Sequence, residues 1–193
     1  FKLELFQKTG SFKVRGAVNK ILSLSNNDKK NGVIAISAGN HAQAVAWSSS
    51  LFGIKSKIVM PHNASKTKIN ATKSYGGNVI LTSENMMDVC NEIIRNEKLT
   101  MVHPFDDYDV INGQGSISLE VLDKLKYVDN VFISIGGGGL ISGMSHVFKL
   151  YNPNIKIFGV EPINSDVMSR SLKSGKVESF DTVKNKTIAD TLA

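Results

Sequence analysis

A chain of 193 residues with 41% hydrophobic and 21% charged side chains can bury a core, which excludes an intrinsically disordered protein. The net charge of +6 is scattered and no apolar run reaches membrane-spanning length, so we expect neither a nucleic-acid partner nor a membrane. The single cysteine, Cys90, excludes an internal disulfide; it lies on an apolar helical stripe, so we expect it in the core of a cytoplasmic protein.

Apolar spacing predicts that helices and strands alternate along the chain. Helices are expected at 12–25, 65–75, 86–97, 116–125, 140–151 and 165–173, and another follows Gly39-Asn40 and runs to Phe52. A turn is expected at 26–28 and a loop at 104–109. Strands are expected at 33–37, 57–60, 79–82, 99–103, 131–135 and 155–160. Short strands separated by helices are typical of βαβ units. The predicted fold class is therefore α/β with two parallel-sheet units, and the chain crosses between domains near 104–109.

Lys13 occupies an unusual position, the first turn of the helix predicted at 12–25. Ser11 stands just ahead of it, where an N-cap side chain is expected. The positive end of the helix dipole disfavours an ammonium group there, so we expect a lowered pKa for Lys13. Such a lysine can act as an amine nucleophile or as a base. The alternative is an ordinary solvated lysine.

Two glycine-containing segments follow predicted strands and precede predicted helices, where α/β proteins bind their ligands. In Gly136–Gly139, four glycines let backbone N–H groups surround an anion at a helix N-terminus, which is how phosphate is bound. The spacing fits neither a dinucleotide fingerprint nor a nucleotide P-loop. An amine at Lys13 together with a bound phosphate suggests pyridoxal phosphate. In the second segment, Asn40 is a candidate partner for the cofactor O3′, or simply a helix N-cap.

Three motifs then resemble the signatures of fold-type II pyridoxal-phosphate enzymes: Ser11–Ala17, Ser37–Gln43 and Gly136–Leu140. Gly113–Gly115 and His103–Asp107 are similar to the threonine dehydratase and serine racemase branch of that family. The resemblance implies the tryptophan synthase beta-like architecture. It also implies a large cofactor-binding domain made of 1–31 and 108–193, and a small domain, 32–107, that carries the substrate-carboxylate loop.

The resemblance assigns roles to individual residues. Lys13 is expected to hold the cofactor covalently, and Phe12 to flank its ring, although core packing explains Phe12 equally well. Asn40 is expected to bond O3′. The expected phosphate ligands are the backbone amides of Gly136, Gly137, Gly138, Gly139 and Leu140. The expected substrate-carboxylate loop consists of Ser37, Ala38, Gly39, Asn40 and His41, with His41 positioned by the loop rather than acting as a base.

The activity implied is dehydration and deamination of L-threonine or L-serine to a 2-oxo acid and ammonia. Serine racemases of this family have a serine where Ala38 stands, and alanine has no proton to deliver to the second face of Cα. A dehydratase with Lys13 as its one base is therefore favoured. A serine racemase with dehydratase side activity is the alternative. A non-catalytic fragment that binds the cofactor or a partner is an alternative of another class.

Glu161 resembles the first ligand of a divalent-cation site in the racemase-like members of the family. There a backbone carbonyl follows four residues on and an aspartate two further, positions that hold Ser165 and Val167 here. Since one carboxylate is out of register, at Asp166, we expect either a weak Mg²⁺ or Ca²⁺ site at Glu161 and Ser165 or a solvated glutamate.

The resemblance also implies what lies outside the sequence. The chain starts at Phe1 and stops at Ala193 within the family's pattern, so we expect a fragment without the C-terminal part that supplies the partner of the pyridine nitrogen. Thr191 stands where the family usually has glycine. The expected partners are a small hydroxyamino acid and further copies of the chain, in a homodimer or higher homo-oligomer.

Overall fold

The computed structural model describes residues 1–178 together with residues 187 and 189. Its α-helices are α1 (Lys13–Ser23), α2 (Asn26–Asn31), α3 (Asn40–Leu51), α4 (Lys66–Ser74), α5 (Met86–Glu97), α6 (Tyr108–Lys124), α7 (Gly139–Tyr151) and α8 (Val167–Ser174). Its strands are β1 (Val33–Ile36), β2 (Ser56–Pro61), β3 (Asn78–Thr82), β4 (Thr100–Met101), β5 (Asn130–Ser134) and β6 (Lys156–Val160). Short 3-10 turns occupy Glu4–Phe6, Lys8–Gly10 and Ile163–Ser165.

The strands form two parallel sheets, of four and two strands. The first has the order β3-β2-β1-β4, and Val33 at the start of β1 lies opposite Ser56 of β2 and Thr100 of β4. The second pairs β5 with β6, beginning at Asn130 and Lys156. Each sheet is connected through helices, as parallel strands require. The predicted α/β class with two parallel-sheet units is confirmed.

Alternate side chains of β1 pack on opposite faces of the four-stranded sheet, as the period of two requires. Val33 and Ala35 join a core cluster with side chains of α1 and α3, including Ile21. Ile34 points to the other face and packs with Cys90 of α5. Cys90 is fully buried with a free thiol, so its predicted place in the core is confirmed.

Helix α6 begins at Tyr108, eight residues before its predicted start. Gly113 and Gly115 lie inside the helix, and both allow close helix packing. A Cβ at Gly113 would lie 2.5 Å from the carbonyl oxygen of Arg15, and one at Gly115 would lie 3.0 Å from that of Gly143. Tertiary contact therefore overrides the low helix propensity of glycine.

Two local predictions near α1 are wrong. Phe12, not Ser11, precedes the first helical residue, and no side chain caps α1. The Ser11 hydroxyl is buried and has no partner among the described residues. The predicted turn at 26–28 is the start of α2, because Ser25 Oγ accepts a hydrogen bond from the Asp28 N–H at 3.1 Å and caps a helix there.

The chain divides into two compact units, 1–113 and 114–193, which are described separately below. The predicted domain limits, 1–31 with 108–193 and 32–107, stay a prediction. None of the helices in the described part of the chain has the length and apolar content needed to cross a bilayer.

Candidate active site

The four-stranded sheet has a topological switch point between β1 and β4. The chain continues from β1 to β2 and β3 on one side, whereas β4 lies on the other side of β1. Loops leaving the carboxyl ends of β1 and β4 therefore diverge, and ligands of open α/β sheets bind in such crevices. The predicted loop Ser37–His41 follows β1, and Val102–Pro104 follows β4. The topology of the first unit thus indicates a ligand site beside these two loops.

Lys13, the first residue of α1, extends its amine to the β4 side of this crevice. Its Nζ donates a hydrogen bond of 2.7 Å to the carbonyl oxygen of Pro104 and lies 5.2 Å from the centroid of the Phe12 ring. Burial lowers the pKa of Lys13 from 10.5 to about 8, since desolvation disfavours the ammonium form. The lowered pKa agrees with the sequence prediction, but its cause is burial rather than the helix dipole.

His41 connects the two loops of the crevice. The ring is buried, and Nε2 lies 2.8 Å from the carbonyl oxygen of Val102. A carbonyl only accepts, so Nε2 carries the hydrogen, and Nδ1 is a buried acceptor with no partner among the described residues. Burial, with a smaller contribution from the charge of Lys13, lowers the pKa of His41 to about 3. This neutral, fixed imidazole is consistent with the predicted positioning role.

His103 is a second imidazole near Lys13, and the sequence analysis gave it no role. Its Nδ1 accepts hydrogen bonds from the backbone N–H of Asp106 at 2.8 Å and of Phe105 at 3.4 Å. The Phe105 ring meets it edge-on at 4.7 Å between centroids. Burial lowers the pKa of His103, and the opposing field of Asp106 and Asp107 is the smaller effect.

The Ser37–His41 loop offers donors at the start of α3. Ser37 Oγ accepts a hydrogen bond from the Gly39 N–H at 3.1 Å, which occupies one predicted donor and leaves the hydroxyl hydrogen free to be donated. Gly39 is the N-cap and Asn40 the first residue of α3, so the alternative N-cap role for Asn40 is wrong. Within the described residues the Asn40 side chain has no hydrogen-bond partner, and backbone N–H groups in a first helical turn lack intrahelical acceptors.

The glycine segment of the second unit forms the turn that was predicted, between β5 and α7. Gly138 is the N-cap of α7 with φ +87°, a left-handed conformation that favours glycine, and Gly139 begins the helix. A Cβ at Gly138 would lie 3.0 Å from Met168 Cε. Among the described residues no hydrogen bond is donated by the backbone N–H groups of 136–140. This turn therefore presents free N–H groups at a helix N-terminus, which suits an anion.

Glu161 is engaged by the helix that follows it. Its Oε1 accepts the Met168 N–H at 2.8 Å, and its Oε2 accepts the Ser169 N–H at 2.9 Å and the Ser169 hydroxyl at 2.6 Å. Ser165 is buried, and no group of three or more His, Cys, Asp or Glu side chains suited to a metal ion occurs in the described part. Glu161 thus caps α8, and the predicted cation site at Glu161 and Ser165 gains no support.

Sequence reasoning missed the Pro104 carbonyl and His103, although the string His103–Asp107 was singled out. A backbone carbonyl carries no residue-type signal, and it meets Lys13 across 91 positions of sequence. The predicted departure at Thr191 lies outside the described residues.

Comparison with known proteins agrees with these features. The family described as pyridoxal-phosphate dependent enzyme matches residues 1–193. The chain is 45% identical to the catabolic L-threonine dehydratase of Escherichia coli K12, over 98% of this chain and 58% of that protein. It is also 45% identical to the L-threonine ammonia-lyase of Thermotoga maritima, over 100% of this chain and 48% of that protein. The chain thus spans about half the length of the curated relatives it matches.

Solved structures share the fold. Maize serine racemase matches with a TM-score of 0.93 and 38% identity, over 98% of this chain and 58% of that one. The processed form of threonine deaminase isoform 2 from Solanum lycopersicum matches with a TM-score of 0.92 and 40% identity, over 98% and 53%.

The described residues fit the group that this family binds. An aldehyde cofactor needs a neutral amine, and Lys13 has a buried amine with a pKa of about 8. A phosphate needs converging donors, and the turn 136–140 has free backbone N–H groups. Each unit, taken by itself, thus has one of these two features.

Proposed function

From the premise that the chain belongs to the pyridoxal-phosphate-dependent enzyme family, we propose that it is the catalytic part of an L-threonine or L-serine ammonia-lyase. The reaction eliminates water from the hydroxyamino acid to give an enamine, and hydrolysis then takes up one water and releases ammonia, which leaves a 2-oxo acid. The observation that carries the proposal is the buried amine of Lys13, which donates a hydrogen bond to the Pro104 carbonyl beside the switch point of the sheet. The named relatives, L-threonine dehydratases, favour this chemistry.

Lys13 is proposed as the residue that bonds the cofactor and, once released, takes the proton from the substrate Cα. Bound pyridoxal phosphate supplies an electron sink that makes this proton acidic. A base must be unprotonated before the proton moves, and a pKa of about 8 leaves a useful neutral fraction at neutral pH. The Pro104 carbonyl accepts from Nζ and so directs the amine without competing for its lone pair.

The Ser37–His41 loop is proposed to bind the substrate carboxylate. The Ser37 hydroxyl hydrogen and the first-turn N–H groups of Asn40 and His41 are the available donors, and the N-terminus of α3 favours an anion. Gly39 contributes less than predicted, because its N–H is held by Ser37. The Asn40 amide is proposed to contact the cofactor O3′, and the amides of 136–140 to hold its phosphate.

Ala38 supports elimination over racemisation. A racemase needs a proton donor on each face of Cα, and the methyl group of Ala38 has none to give. The buried His41 does not substitute, because its one N–H is donated to Val102. The serine racemase fold match keeps racemisation as the second candidate function.

The test uses the full-length protein with L-threonine and L-serine. We expect 2-oxo acid and ammonia in equal amounts, with D-serine forming much more slowly. Rapid D-serine formation would overturn the elimination assignment, and Ala38→Ser should raise whatever racemisation exists.

A separate measurement tests cofactor attachment. The protein should turn yellow with pyridoxal phosphate, and borohydride should fix the label on the peptide that contains Lys13. A folded, colourless protein that gains no label would favour the alternative of a non-catalytic binding fragment.

A further inference from the structure

We propose that Lys20 is a positioning residue for Lys13, acting through the segment 102–109, which is tied at both ends and presents the Pro104 carbonyl to the amine. The inference rests on the proposed role of Lys13 as the reactive amine. It assigns a function to the ion-pair cluster of Lys20 with Asp107 and Asp109, which has no part in the proposed reaction.

The first tie holds the segment at Val102. Its N–H donates to the Ile34 carbonyl at 2.8 Å, which continues the pairing of β4 with β1. Its own carbonyl accepts from Nε2 of the buried His41 at 2.8 Å. Both polar groups of Val102 are therefore fixed, one by the sheet and one by α3.

The second tie holds the segment at Asp107 and Asp109. Lys20 Nζ lies 2.8 Å from Asp107 Oδ2 and 3.1 Å from Asp109 Oδ2, and the Lys20 and Asp107 side chains are only 16% and 14% exposed. Ser23 Oγ donates to Asp109 Oδ2 at 2.8 Å, and Asn19 Nδ2 donates to the Asp109 carbonyl at 2.7 Å. Helix α1 thus binds this end through three side chains.

Lys20 is the centre of the second tie. Burial lowers its pKa, but the hydrogen bonds and charges of Asp107 and Asp109 outweigh burial and raise it overall, so Lys20 stays charged. Asp107 Oδ1 also accepts the Asp109 N–H at 2.8 Å, which fixes the start of α6. A partly buried ion pair with this geometry is worth more than a solvated one.

Between the two ties lies Pro104, whose ring restricts its backbone. The amine and the Lys20 tie both belong to α1, seven residues or about 10 Å apart along the helix. One rigid helix therefore supplies the donor to Pro104 and anchors the segment that carries the acceptor. The distance from Nζ to the Pro104 carbonyl depends on both ties.

The surroundings of the Lys13 amine show why the placement of the segment 102–109 affects its pKa. Burial lowers the pKa of His41 from α3 and of His103 from the segment, and the charge of Lys13 lowers both further. Asp106 and Asp107 act on His103. Exclusion of water, rather than a charged neighbour, is what lowers the pKa of Lys13. A loosened segment would admit water and return the amine toward its ordinary, protonated state.

The experiment measures the reactivity of Lys13 in the full-length, cofactor-free protein. Trace acetic anhydride is applied from pH 6 to 11, and acetylation of each lysine is read by peptide mass spectrometry, which gives the pKa of Lys13. The variants are Lys20→Met, Asp107→Asn and Lys20→Arg, with Lys30→Met of the exposed α2 lysine as the control for charge. Asparagine retains the helix-capping oxygen of Asp107.

We expect Lys20→Met to raise the pKa of Lys13 by about one pH unit, so that its acetylation at pH 7 slows about tenfold. Asp107→Asn should also raise the pKa of Lys13, but by less. In Lys20→Arg and Lys30→Met the acetylation rate of Lys13 should stay within about twofold of the parent rate. A direct charge effect would instead move Lys20→Met and Asp107→Asn in opposite directions.

The proposal would be overturned if the pKa of Lys13 shifted in opposite directions in Lys20→Met and Asp107→Asn. It would also be overturned if both variants folded and Lys13 reacted as it does in the parent. Thermal unfolding of each variant shows whether it is folded. The labelling uses neither cofactor nor substrate, so it also separates this proposal from the proposed function. A protein that never binds pyridoxal phosphate would still report whether Lys20 positions Lys13.

Discussion

The Lys13 site of the first unit consists of side-chain groups, whereas the glycine turn of the second consists of backbone groups. Around Lys13 the functional groups are side chains: an amine, two imidazoles and an ion-pair cluster. Partners from distant parts of the chain hold the amine, His41 and the cluster. In the glycine turn, the backbone alone offers donors, and the absence of side chains is what makes room. Substitutions should therefore act through chemical identity in the first region and through shape in the second.

Replacing Lys13 has the largest expected effect, because it removes the chemical group itself. Lys13→Met should abolish covalent attachment of pyridoxal phosphate and lower kcat by about 10³-fold or more, since nothing else described in this crevice offers a free amine. Absorbance of the bound cofactor and assay of 2-oxo acid measure the two effects. Lys30→Met, the same change at an exposed position, should leave both unaltered.

The same variant should stabilise the protein, which is the second largest effect. Burial lowers the pKa of Lys13 from 10.5 to about 8, so the native state binds fewer protons than the unfolded chain between those values. Below pH 8 this disfavours folding by an amount on the order of 3 kcal/mol, and the penalty fades as pH rises to 10.5. Lys13→Met should thus gain up to about 3 kcal/mol at pH 7, less any loss of the Pro104 bond.

Urea unfolding of cofactor-free parent and Lys13→Met at pH 7 and pH 10.5 measures this difference. Parent stability should rise over that range relative to the variant. If the two proteins differ by the same amount at both pH values, the amine is not buried in its neutral form.

The two regions also differ in how far the sequence predicts them. The glycine turn is local: four consecutive glycines between a strand and a helix define both its conformation and its ligand class, and the structure has that turn. Lys13 was identified by its position, but the cause of its lowered pKa was not, because burial depends on packing against a loop 91 residues away. Local signals predict where a group stands, and tertiary contacts decide its environment.

Helix boundaries show the same limit. The apolar pattern predicted α5 (Met86–Glu97) at its observed bounds, and Gly53 follows α3 in the left-handed conformation expected of a C-terminal cap. The start of α6 was predicted eight residues too late, and the contact of Gly113 with Arg15 in the missed part of that helix is not a local property that the apolar pattern could show. Ser11 misled the prediction of the start of α1, since a good N-cap residue stood next to the helix but was turned inward.

Gly138→Ala tests whether shape governs the second region. The left-handed conformation costs a non-glycine residue about 1–2 kcal/mol, and the new Cβ would lie 3.0 Å from the flexible end of Met168. We expect about a tenfold weaker affinity for pyridoxal phosphate, with the pKa of Lys13 unchanged. Equilibrium titration with the cofactor and acetylation of Lys13 measure the two quantities. Gly175→Ala, at a left-handed position with open space around it, is the matched control for backbone strain.

Glu161→Gln has the smallest expected effect and separates a helix cap from a cation ligand. Glutamine retains one acceptor oxygen but loses the charge and one of the accepting positions, so α8 should lose about 1 kcal/mol of stability. Asp123→Asn is the control, since this exposed carboxylate pairs with its neighbour Lys124 and with no other cation among the described residues. A cap gives the same loss with Mg²⁺ or Ca²⁺ present or absent. A cation ligand gives a parent protein whose melting temperature rises with the metal and a variant that no longer responds.

Met168 lies beside both the Glu161 carboxylate and Gly138, so Glu161→Gln should also cause a small loss of cofactor affinity. The size of that loss measures how far α8 supports the glycine turn.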